Sequence, residues 1–153
     1  PLYNYLASLS SQIQIYENDL SKIELDKMDK SKNHLCVFDD LVLNKDQKPM
    51  ENLYIRCRKM NCSVLYLSQS FFMTPKIIRQ NCNYMWILKL GGAREINIIL
   101  REFALGVNKE TLLDIYRYVT KEKLMPLMID MEAPPESRFR KGIFEIIDPN
   151  DFK

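Results

Sequence analysis

Two places in the chain combine residue types that can work on a phosphoryl group. His34-Leu35-Cys36-Val37-Phe38 is a short apolar stretch that stops abruptly at Asp39-Asp40. That pattern reads as a buried strand ending in two acids. At such an end one carboxylate can hold Mg²⁺, usually through water, beside a nucleotide phosphate, and the other can polarise an attacking water as general base. A second apolar run, Cys62-Ser63-Val64-Leu65-Tyr66-Leu67, ends in Ser68-Gln69-Ser70. From Asp40 to Gln69 is 29 positions, room for a loop, a crossover helix and the next strand. Parallel neighbours joined in this way would place Gln69 beside the acid pair, where its amide can donate to a phosphate oxygen and accept from water. Taken singly, acids at a solvent-facing strand end or a glutamine capping a loop carry no function. Arginines are the third element. Arg56 and Arg58 close the crossover helix and Arg79 lies on a short helix after Gln69. An arginine presented across a subunit boundary can stabilise charge on a transferring phosphoryl group.

The elements that must position these groups follow from the periodicity. Leu2, Leu6, Leu9, Ile13, Tyr16, Leu20 and Ile23 form an apolar stripe at alternating steps of 4 and 3. This predicts one long amphipathic helix packed on a sheet, or a short coiled coil, ending in the polar run 27–33. A polar loop from Asn44 to Lys48 leads to Pro49, suited to a first helical turn. That helix is expected to reach about Met60, with Asn61 as a left-handed stop. Thr74-Pro75 predicts a cap and first turn for a helix through Gln80. A third strand is expected over residues 84–90, closed by Gly91-Gly92. Helices follow at about 93–103 and 109–120, the latter capped by Asn108. An apolar segment at 124–130, a turn at Pro134-Pro135 and a last strand at 142–147 complete the chain. Strand, helix, strand, helix, strand is the signature of a mostly parallel sheet with crossover helices.

Composition bounds the rest. The 153 residues are 46% hydrophobic and 27% charged with a net charge of +2, which excludes a disordered chain and announces no nucleic acid by charge alone. No apolar run approaches the roughly 18 residues needed to span a membrane. The four cysteines, Cys36, Cys57, Cys62 and Cys82, form no C-x-x-C pair, and His34 is the sole histidine. Cys57 and Cys62 come nearest to the spacing of a zinc-ligand pair, but the four read as reduced thiols, several packed in strands, in a reducing compartment, and no zinc site is expected. Phe71 and Phe72, near Lys76 and Arg79, suit either base stacking or a core beneath the strand ends. Arg138-Phe139-Arg140-Lys141 is a basic patch or a solvated hairpin flank.

The block 34–41 (HLCVFDDL) followed by 56–81 (RCRKMNCSVLYLSQSFFMTPKIIRQN) resembles the genome-packaging ATPases of large double-stranded DNA viruses, a poxvirus-type branch of the FtsK–HerA superfamily of DNA-pumping motors. The likeness covers about residues 35–90 well and the last third loosely. It implies an α/β, RecA-like P-loop NTPase core using ATP and Mg²⁺. Asp39 would match the Mg²⁺-associated Walker B aspartate, and Asp40 the catalytic acid, often Glu elsewhere in the superfamily. Gln69 would match the polar sensor. Arg58, four positions before Cys62, or else Arg79, would be the trans-acting finger. Asn81 matches a recurrent asparagine. The implied partners are double-stranded DNA gripped without sequence specificity, a homo-oligomeric ring, and a capsid or portal vertex, in host cytoplasm or nucleus.

One departure is large. The family cradles the β- and γ-phosphates with G-x-x-x-x-G-K-[ST]. Here the four glycines, Gly91, Gly92, Gly106 and Gly142, all follow the acidic strand. The expectation is a single partial ATPase domain over 1–153, with a helix and polar linker at 1–33, acid and sensor strands at 34–90, and C-terminal helices and strands at 91–153. Its first strand and phosphate loop would lie before Pro1, or ATPase function would have been lost. From a different class, the chain would be a non-catalytic α/β assembly or regulatory module that binds a partner through the stripe of residues 2–23.

Overall fold

The computed structural model describes residues 2–16, 20–41 and 46–152. The expected loop start at Asn44 and the middle of the apolar stripe, residues 17–19, lie outside the described residues, as does Pro1. The chain is mixed α/β and divides into two compact units, Pro1–Gln69 and Ser70–Lys153.

The first unit is built on two parallel strands. Helix α1 (Leu2–Leu9) precedes β1 (His34–Asp39), then α2 (Lys48–Cys57) crosses over to β2 (Cys62–Leu67). Pro49 sits in the first turn of α2, where its missing N–H is harmless. A 3₁₀ turn, Arg58–Met60, ends on Asn61 at φ 52°, the left-handed stop expected there. Register runs from His34 opposite Cys62 to Asp39 opposite Leu67. One sheet face carries Cys36, Phe38, Cys62, Val64 and Tyr66 and packs with Met50, Leu53, Cys57, Met60 and Leu25. The other face is open: Leu35 and Val37 are 64% and 49% exposed. The apolar run at 34–38 therefore belongs to a strand covered on one side, not on both as expected.

The long helix predicted from the stripe is not formed. α1 stops at Leu9 and buries none of its residues. Ser10 ends it: its carbonyl accepts from Ile13 N–H and its hydroxyl from Gln12 N–H, a local turn that competes with helix propagation. Leu20 and Ile23 instead reach the core of this unit from a separate turn.

The second unit departs further from a mostly parallel sheet. After α3 (Lys76–Asn81) comes β3 (Tyr84–Ile87), then α4 (Ala93–Glu102) and α5 (Lys109–Thr120), and then β4 (Leu127–Asp130), β5 (Phe139–Lys141) and β6 (Glu145–Ile147). These four strands form an antiparallel sheet in the order β3-β4-β5-β6. β4 is buried at every residue and needs a partner along both edges. β5 and β6, a hairpin where one last strand was expected, supply one edge. β3 supplies the other and alternates, with Met85 and Ile87 turned in and Tyr84 and Trp86 exposed. One-sided alternation of this kind is the mark of antiparallel pairing. Ile96, Ile99 and Leu100 of α4 and Leu112, Ile115 and Val119 of α5 close the core over Ile129 and Phe139. Asn108 caps α5 as expected, its Oδ1 accepting from Glu110 N–H at 2.8 Å. Among the described residues no helix is long and apolar enough to cross a membrane.

Candidate functional site

The carboxyl ends of the two parallel strands carry the acids and the glutamine. Asp40 N–H donates to Leu67 O at 3.2 Å, extending the ladder one residue past β1. Asp40 itself is left-handed, at φ 51°. A non-glycine residue takes that conformation with some strain, and Asp bears it better than most because its short side chain bonds locally. The kink turns the carboxylate towards the end of β2, where Gln69 Nε2 donates to Asp40 Oδ2 at 3.0 Å. Asp39, Asp40 and Gln69 are all exposed. Asp39 accepts a hydrogen bond from the Tyr3 hydroxyl of α1, a partner that no sequence pattern indicated.

Tyr66, one strand position before Leu67, adds a polar group. Its hydroxyl is buried and has no hydrogen-bond partner among the described residues. Burial, with the Asp40 charge adding to it, pushes its pKa up, so it remains a proton donor. The two carboxylates at the strand end are hard oxygen ligands of the kind that a hydrated Mg²⁺ takes, whereas the Tyr66 hydroxyl lies on the covered face of the sheet. The phosphate half does not fit: no Gly-rich nest of amides with a lysine is present in these 153 residues.

The two arginines part company. Arg58 lies in the 3₁₀ turn that feeds the start of β2, at the opposite end of the strands from Asp40. Six strand residues at about 3.3 Å each put it roughly 20 Å from the acids of its own chain. It is exposed and makes no ion pair among the described residues. Arg79, in the second unit, is fully committed. Its guanidinium contacts Glu102 at 3.1 Å, donates to Thr74 O at 3.2 Å and stacks 4.5 Å from the Phe71 ring centroid, with the side chain only 16% exposed. Arg79→Ala is therefore expected to destabilise the second unit by about 2 kcal/mol, measured by urea unfolding, because it removes charged hydrogen bonds and a cation–π contact together. Asn81 caps its own helix through Ile77 O at 2.7 Å.

Phe71 belongs to the core of its unit, edge-on to Phe103, while Phe72 is 44% exposed beneath Arg94. Glu95, which sequence reading passed over, accepts from Ser70 Oγ at 3.0 Å and Phe71 N–H at 3.1 Å and so fixes the start of this segment. The basic patch is structural. Arg138 donates to the carbonyls of Ala133 and Leu105, Arg140 pairs with Asp130 and Lys141 with Glu122.

The largest surprise lies under the sheet. Cys36, Cys57 and Cys62 come together in the first unit, and hydrogen bonding couples their protons. Donation from the Cys57 thiol, then from Cys62, holds Cys36 down to about 6. Cys57 is pushed well up, by that same bond and by burial, and burial pushes Cys62 up to about 11. Cys36, depressed from its ordinary value of 9, favours the folded state fully above pH 9, and this contribution fades as pH falls through 6. In reduced, chelator-treated protein, iodoacetamide labelling of Cys36 should show a midpoint near pH 6, with Cys57 and Cys62 unlabelled at that pH; mass spectrometry across a pH series checks this.

Fold and site together define an α/β chain with a strand-end cluster of two carboxylates and a glutamine. Comparisons with protein families, with curated proteins and with solved structures return no match for this chain.

Proposed function

We propose that this chain supplies the acid and sensor strands of a RecA-like P-loop motor ATPase that drives double-stranded viral DNA into a capsid. The observation that carries the reading is the Gln69–Asp40 hydrogen bond of 3.0 Å at the adjacent ends of two parallel strands. In that role Asp39 would hold hydrated Mg²⁺, Asp40 would take the proton of an attacking water, and Gln69, bonded to the Asp40 carboxylate, would fix its direction. ATP, bound with Mg²⁺, supplies the phosphoryl group whose transfer drives translocation. The open sheet face of Leu35 and Val37 also supports the reading, because a RecA-like core covers such a pair with a second layer and further parallel strands. Arg58 suits the trans-acting finger better than Arg79, being exposed and far from its own acids. A ring of copies would bring it to a neighbour's strand ends, and DNA would be held through its phosphates.

The test begins with the coding sequence upstream of Pro1, where an in-frame G-x-x-x-x-G-K-[ST] is expected. A start codon adjacent to Pro1 would instead favour the second reading, a non-catalytic assembly module. In the protein that carries the loop, Gln69→Ala should lower ATP turnover at least tenfold with nucleotide affinity retained, by steady-state kinetics against equilibrium binding. Arg58→Ala protein should regain activity when mixed with Asp40→Asn protein, since each would complete a site that the other lacks.

A further inference from the structure

Three of the four cysteines converge from separate elements of the first unit: Cys36 from β1, Cys57 from the end of α2 and Cys62 from the start of β2. Their sulfurs all lie within 4.8 Å of one another, and Cys36 Sγ is 3.5 Å from Cys62 Sγ. Sulfurs bound about 2.3 Å from a common metal lie roughly 3.8–4.0 Å apart, so closing on an ion asks for side-chain movements below about 1 Å. Cys57 and Cys62 are buried and Cys36 is half-buried, which leaves an approach from one side. The surroundings are apolar and contribute Phe38, Met50, Leu53 and Met60. Three thiols in a dry pocket exclude hard cations, which demand oxygen ligands, and select soft ones.

We propose that Cys36, Cys57 and Cys62 form a three-thiolate site for a soft divalent cation of the Zn²⁺ class, separate from the strand-end carboxylates. Binding leaves all three sulfurs as thiolates, releases to solvent whichever thiol protons they still carry and forms three metal–sulfur bonds, leaving the centre with one net negative charge and no change of oxidation state. The ion clips β1, β2 and α2 together. It thereby steadies the two strands whose ends carry Asp39, Asp40 and Gln69.

The site is tested on the full chain, fully reduced and held without oxygen or reductant, by titration with Cd²⁺ alone as a spectroscopic stand-in for Zn²⁺. A thiolate-to-metal charge-transfer band should saturate at one ion per chain, with release of protons to solvent. Bound ion should protect Cys36, Cys57 and Cys62 from alkylation, leave Cys82 reactive and raise the melting temperature. Cys36→Ser, at the half-buried position that best tolerates change, should weaken binding by at least the 10–100-fold that loss of an outer partner already causes, and Cys82→Ser should leave it unchanged. A band that fails to saturate, protection that includes Cys82, or unaltered affinity in Cys36→Ser overturns the site. So does a chain that takes up no ion and forms only a Cys36–Cys62 disulfide on exposure to oxygen.

Discussion

If the chain serves the proposed motor, Asp40→Asn in a protein that also carries the phosphate loop is expected to lower ATP turnover by about 10²–10⁴-fold, the usual span of a general base, while ATP still binds. The choice of asparagine matters because of the backbone. Asp40 sits at φ 51°, where alanine would add strain of about 1–2 kcal/mol and confound a chemical effect with a structural one. Asparagine visits that region readily, and its side-chain oxygen can still accept from Gln69 Nε2. The substitution therefore removes the charge and the proton-accepting capacity and little else. Steady-state turnover beside equilibrium binding of a nucleotide analogue separates the outcomes. Turnover retained at wild-type level would remove Asp40 from the general-base role. Lost binding would point instead to a carboxylate that holds the metal, a role the reading gives to Asp39. Unfolding midpoints equal to wild type would confirm that the kink at residue 40 survives.

What could be read from the chain before its fold divides along a physical line. Features written in neighbouring residues were legible. The apolar run stopping at Asp39-Asp40, the left-handed Asn61 before β2, and Asn108 capping α5 are each decided within a few residues by backbone sterics and local hydrogen bonds. The approach of Gln69 to Asp40 was also foreseeable, because a crossover of that length fixes parallel neighbours. Features set by distant partners were not legible. The stripe from Leu2 to Ile23 has faultless spacing, yet Ser10 breaks it with two local hydrogen bonds that spacing does not register. β3 looked like another buried parallel strand, and only the full burial of β4 explains why it pairs antiparallel there. The cysteine trio is the clearest case. Cys57 and Cys62 alone come near a ligand pair's spacing, and Cys36 joins them only because the strand register sets it diagonal to Cys62 over the end of α2.

The largest stability effect is expected at Asp130, in a segment that sequence reading treated only as an apolar stretch beside a basic patch. Asp130 ends the fully buried strand β4 and is itself 6% exposed. Its Oδ1 accepts from the N–H groups of Glu132 and Ala133, both at 3.1 Å, and so shapes the chain's exit from the strand. Its Oδ2 takes the Arg140 guanidinium of β5 at 2.9 Å. Asp130→Ala takes the charged partner from a guanidinium only 25% exposed, leaving it the Ser137 and Ile143 carbonyls, and strands two backbone donors at once, so it should cost about 3–5 kcal/mol. That is a large share of the roughly 5–15 kcal/mol that holds a domain folded. Asp130→Asn keeps an acceptor for the two N–H groups and should cost less, because only the charge pairing is lost. Arg140→Met beside Asp130→Asn should recover much of the loss, since an apolar chain of similar length needs no partner in that position. Urea unfolding of the four proteins as a double-mutant cycle gives the coupling directly. An additive result, with no recovery in the double variant, would show that Arg140 is solvated rather than held by Asp130.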